Sequence, residues 1–216
     1  MENLPKELYE FYWKIKSAVA LYEVRFNAIP ADLLNEIRNT FDHIARCYVF
    51  HNLGHPEQNT ALIEQQIYRA RGHLERLHLD LYKLFLLNNS DVINKIVQQI
   101  EVDLKKVKER PYPLPDVTRF QVWFLKERKI VEDVIISAKK DECVQKSHDE
   151  KINLLIAAMM RQEEFIDRLS DEYTAVQPYV KEAVNILKKD RWRYRITAYV
   201  IPAITLIAGY ILGRWF

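Results

Sequence analysis

Glycine is nearly missing from this chain. Four glycines in 216 residues, with none between Gly72 and Gly209, leave no phosphate-cradling glycine loop. No segment alternates apolar and polar residues between hairpin turns, so the chain reads as all-α. Cysteine is scarce as well. Cys47 and Cys143 stand far apart in no metal-ligand spacing, which fits a reducing compartment and argues against a disulfide framework. There is no Gly-x-Ser-x-Gly elbow, and neither cysteine has an evident catalytic partner. An overall charge of one sign is lacking too, with 32 basic against 30 acidic residues. The first residues, Met1-Glu2-Asn3-Leu4-Pro5, lack the basic start and apolar run of a secretory signal.

What the chain does hold is helical periodicity broken by sparse punctuation. Leu8, Phe11, Ile15, Val19 and Tyr22 predict a first helix from about Leu4 to Asn27. Pro30 opens a second to about Phe50, ended by the segment from His51 to Pro56. A third is expected from Glu57 to Leu87. The Asn88-Asn89-Ser90-Asp91 run predicts a turn and cap before a fourth helix to about Glu109. Together these make an antiparallel helical bundle over 1–110. Prolines at 111, 113 and 115 cannot continue a helix, so 111–116 is a candidate linker.

Long amphipathic helices fill 117–190. Val117, Phe120, Phe124, Val131, Val134 and Ala138 mark one of them. From Ile152 through Leu155, Met159, Gln162, Ile166, Leu169, Tyr173, Val176, Val180 and Ala183 to Leu187, apolar residues repeat in three-four alternation, with Gln162 the one strongly polar member. This 152–187 heptad helix suits either packing on its own protein or self-association into a homo-oligomer.

The segment 191–216 predicts a basic collar and a single transmembrane helix. From Lys181 to Arg195 there are six basic and two acidic residues, a local excess of about four positive charges. An uncharged stretch then runs from Ile196 to Gly213, roughly 27 Å long as a helix. On this reading Lys188, Lys189, Arg191, Trp192, Arg193, Tyr194 and Arg195 form the membrane interface. The lipid bilayer is then a partner, and the protein is tail-anchored with its N-terminal domain cytoplasmic.

Five of the six histidines fall at 43, 51, 55, 73 and 78. On the second helix Asn35, Arg38, Asn39, Asp42 and Arg46 form a polar face beside His43. On the third, Arg69, His73, Arg76 and Asp80 recur at four, three and four residues and share a face. Antiparallel neighbours bring two such stripes together, and Gly72 permits a close helix approach. The bland account is a salt-bridged polar layer, for example Arg38 with Asp80 or Asp42 with Arg69 or Arg76. Glu75 and His78 have the Glu-x-x-His spacing of a di-iron helix, but no second such pair exists, so no metal and no cofactor are expected.

Arg38-Asn39-Thr40-Phe41-Asp42-His43 resembles the Arg-(four to six residues)-His motif of HEPN proteins, a helical-bundle family rich in RNases and defence components. The resemblance implies that Arg38 stabilises phosphate charge, with Asn39 the polar residue beside it, and that His43 transfers protons, usually in a site completed across a dimer. RNA would then be the substrate of a metal-independent reaction. Cleavage by the 2′-hydroxyl needs an acid–base group near neutral pKa and a cation at the phosphate. The main expectation is a membrane-anchored, all-helical interaction or effector module that acts at the cytoplasmic face of the membrane and binds a protein partner, in a bacterial stress or phage-defence setting. A HEPN-like ribonuclease and an oligomeric membrane-perturbing effector are the alternatives.

Overall fold

The computed structural model describes residues 4–52, 59–108, 115–142, 144 and 146–202. Among them are five α-helices and no strand: α1 (Leu4–Phe26), α2 (Ala31–Asn52), α3 (Thr60–Lys108), α4 (Pro115–Glu142) and α5 (His148–Arg195). A π-helical turn, Ile196–Val200, follows α5.

Local chemistry sets several of these ends. Asn27 takes a left-handed backbone (φ 52°), and its N–H bonds the Glu23 carbonyl to close α1. The Pro30 carbonyl receives the N–H groups of Leu33 and Leu34 and so starts α2. At α5, Ser147 and Glu150 cap each other. The Ser147 N–H donates to Glu150 Oε2 at 2.9 Å, and the Glu150 N–H donates to Ser147 Oγ at 3.3 Å.

The third and fourth expected helices are one. Asn88 to Asp91 continues as α-helix inside α3, and the side chains of Asn88 and Ser90 are engaged by residues of other helices. Asn88 Nδ2 donates to the Tyr22 hydroxyl at 2.5 Å. Ser90 Oγ donates to the Leu86 carbonyl, and the fully buried Gln162 donates from Nε2 to both Leu86 O and Ser90 Oγ. Gln162, the one strongly polar member of the heptad stripe, thus spends its amide N–H groups within the protomer.

The helices sort into two compact units, one from Met1–Asp91 with Ile130–Glu164 and the other from Val92–Lys129 with Phe165–Phe216. The division falls within α3, α4 and α5, not at 111–116, of which 111–114 lie outside the described residues. In the first unit α3 supplies a ladder of fully buried Leu74, Leu77, Leu81 and Phe85, on which Ile15, Tyr22, Leu33 and Leu155 pack. Contacts from α2 to α3 run in opposite chain directions, His43 meeting Gln66 and Glu36 meeting His73, so these helices are antiparallel. The second unit is aromatic at its centre. Phe120, Trp123 and Phe124 of α4 meet Phe165 and Tyr173 of α5 at ring-centroid distances of 5.9 to 6.4 Å within the cluster. There Tyr173 donates to Asp103 Oδ2. Burial first, and then that carboxylate, pushes the Tyr173 phenol up to about 12.

The expectation of a single transmembrane helix is corrected. No helix among the described residues is long and apolar enough to cross a membrane. The described part of the apolar tail, 196–202, amounts to about 10 Å of helix against a hydrocarbon core of about 30 Å. It opens with the π-helical turn, whose Ile201 N–H bonds Ile196 O. Residues 203–216, including Trp215 and Phe216, lie outside the described residues. The tail anchor, the membrane location and the cytoplasmic orientation derived from it fall with the span. Lys188, Lys189, Arg191, Trp192, Arg193, Tyr194 and Arg195, assigned to a membrane interface, are exposed residues of the final turns of α5.

Candidate functional site

Helices α2 and α3 of the first unit bring two histidines face to face. The His43 and His73 rings stack with centroids 5.2 Å apart and planes 20° from parallel. Each ring is held from behind. His43 Nδ1 lies 2.6 Å from Gln66 Oε1, and His73 Nδ1 lies 2.6 Å from Glu36 Oε2. Each ring is thus fixed in orientation by an oxygen-bearing side chain of the neighbouring helix. The Arg76 guanidinium closes over this group, with NH2 3.1 Å from His73 Nδ1 and Nε 3.8 Å from Glu36 Oε2.

In front of the stacked rings is an open cavity of about 520 Å³ lined by His43, Tyr68, Arg69, His73, Arg76 and the Arg71–Glu75 pair, with Gly72 in its wall. Arg69 has no ion-pair partner among the described residues, and Tyr68 is 80% exposed at the rim. Gly72 does not serve a close helix approach, since a Cβ placed there meets nothing within 4 Å.

The structure therefore groups His43, Arg69, His73 and Arg76, and leaves out four other residues of interest. Arg38 is exposed and does not line the cavity. Five residues along a helix turn the chain by about 140° relative to His43, which is the reason. Asn39 is half-buried and also away from the cavity. Asp80 lies one turn beyond it and pairs with Lys83 at 3.3 Å. Asp42 approaches Arg46 of its own helix at 4.0 Å, not Arg69 or Arg76. Sequence reasoning missed Glu36 and Gln66, which hold the rings, and Tyr68. A signal existed for the first two: Glu36 precedes His43 by seven residues, and Gln66 precedes His73 by seven, two helical turns on one face.

A second histidine pair lies on the other side of α3. His78 Nδ1 is 3.2 Å from Nε2 of His148, the first residue of α5, and Phe11 of α1 meets both rings edge-on at 5.8 and 5.6 Å. Burial pushes His78 down from 6.5 to about 4, with the neighbouring His148 adding to the effect, and burial lowers His148 as well. A cavity of about 410 Å³ opens beside this pair, between α1, α3 and the start of α5. Among the described residues no three His, Cys, Asp or Glu side chains are grouped to hold a metal ion. His55 and Cys143 lie outside the described residues.

No family model, curated protein or solved structure matches the chain. The HEPN-like resemblance thus rests on the residues of α2 alone.

Proposed function

We propose that this chain is a helical interaction module whose α2–α3 cavity binds single-stranded RNA. The observation that carries the reading is the convergence of His43, Arg69, His73 and Arg76 on one open cavity with Tyr68 at its rim. Guanidinium groups match phosphate oxygens in charge and in their forked geometry, and imidazole N–H groups add donors. An exposed tyrosine beside arginines offers a stacking surface for a base, which an unpaired strand can present and a duplex cannot.

The test is fluorescence anisotropy of a labelled oligoribonucleotide with the full chain at two salt concentrations. Arg69→Ala together with Arg76→Ala is expected to weaken binding at least about tenfold and to flatten the salt dependence by roughly two ions. Equal affinity in the variant and the wild type would remove this reading.

A second reading, RNA cleavage, is favoured by one detail: two oriented imidazoles, groups suited to acid–base transfer, line the same cavity as Arg69 and Arg76. In that case the phosphate-stabilising role implied for Arg38 passes to Arg69 and Arg76. Comparing RNA cleavage by wild type and His43→Ala decides it, and equal rates would leave binding alone.

A further inference from the structure

Arg71 and Glu75 are the only two side chains found in the walls of both cavities described above. They sit one turn apart on α3, with Arg71 Nε 3.2 Å from Glu75 Oε1. The pair is exposed (64% for the arginine and 37% for the carboxylate), so solvent screening leaves it weak and open to competition. On one side it borders the RNA-binding cavity with Arg69 and Arg76. On the other it borders the cavity lined by His148.

We propose that the Arg71–Glu75 pair is a shared gate: an anionic strand entering the α2–α3 cavity draws Arg71 to its phosphates and leaves Glu75 facing His148, which then takes up a proton. This deepens the RNA-binding reading and rests on it, since the strand supplies the anion.

The charges around His148 support the direction. Glu75 is the leading influence that favours its protonated form, followed by Asp149, while Arg71 and Lys151 oppose it. From α3, His78 stands 3.2 Å away and disfavours a second positive charge. From α1, Glu7, Glu10 and Lys14 border the same cavity. Only Arg71 and Glu75 among these also reach the RNA side. Removing Arg71 from the balance weakens the opposition to Glu75, so the ring becomes more basic. By linkage, protonation of His148 must then tighten the bound strand by the same factor.

The experiment follows the His148 imidazole resonance of the full chain through a pH titration, using His148→Asn for assignment. In the free protein, Arg71→Gln is expected to raise the His148 midpoint by at least about half a pH unit, a roughly threefold gain in proton affinity. Glu75→Gln is expected to lower it. Saturating oligoribonucleotide should shift the wild-type midpoint upward as Arg71→Gln does, and should shift it less in Glu75→Gln. An unmoved midpoint in free Arg71→Gln overturns the gate. So does a wild-type midpoint that stays fixed while anisotropy shows the strand bound. A strand that fails to bind at all overturns the RNA reading and the proposed coupling with it, while the Arg71→Gln titration still reports whether the ion pair controls the ring.

Discussion

His43–His73 and His78–His148 are two histidine pairs in one helical unit, and α3 contributes to both. The first pair stacks face to face, and each ring has its own oxygen partner, Gln66 or Glu36. The second pair has no oxygen partner at the facing nitrogens. Its rings meet each other and the edge of Phe11. An oxygen acceptor beside an imidazole fixes its orientation, whereas an apolar wall and a second imidazole disfavour positive charge. The same residue type therefore serves as an oriented polar group on one face of α3 and as a neutral packing group on the other.

The largest way to break this comparison is to cut the support between the pairs. Leu77 is fully buried in the ladder separating His73 from His78. Leu77→Ala is expected to cost about 2–5 kcal/mol, read by urea denaturation, and to disturb both pairs together. A loss below about 1 kcal/mol would contradict the packing.

Acid sharpens the difference next. The folded protein keeps His78 neutral down to about 4, whereas an unfolded histidine binds its proton near 6.5. Between those values the unfolded chain holds more protons, so stability is present above about 6.5 and is lost as pH falls toward 4. His78→Leu should flatten this part of the curve of Tm against pH. Parallel curves for variant and wild type would show that the pair is not kept neutral.

On the other face, Glu36→Ala removes the acceptor behind His73. It should cost about 1–2 kcal/mol, with Glu36→Gln recovering much of the loss because an amide oxygen still accepts. Identical stability of all three proteins would mean that the hydrogen bond to His73 contributes nothing. The smallest effect is expected at Gly72, where a methyl group meets open space. Gly72→Ala should stabilise α3 by about 0.5–1 kcal/mol, visible as a modest rise in Tm, and a fall would point to a role for the glycine beyond helix propensity.

Much of the helical layout could be read from residues that act locally. Asn27 and Pro30 separate α1 from α2, and the apolar stripe from Ile152 to Ala183 is largely buried along α5. The capping box at Ser147 and Glu150 was legible in principle, as Ser-x-x-Glu before an apolar run, and it would have set the start of α5 at His148. The Asn88–Asp91 run misled because its composition favours a turn when no tertiary partner is present. His148 could not be matched with His78 from spacing, since 70 residues separate them. The five-residue spacing sets Arg38 and His43 about 140° apart around α2, but which of the two lines the cavity was decided by packing against α3.

By itself, the sequence determined that the chain is helical, where prolines interrupt it and which stripe of each helix is apolar. Those properties depend on neighbours within about a turn or two, where backbone preference and side-chain spacing act directly. Tertiary structure alone decided that 88–91 stays helical, that Gln162 is spent inside the protomer, and which histidines share a face. Each of those outcomes hangs on a partner far along the chain, 66 residues away for Asn88 and Tyr22 and 76 for Gln162 and Leu86. A buried polar group takes whatever partner the packing brings to it, and local sequence holds no record of that partner.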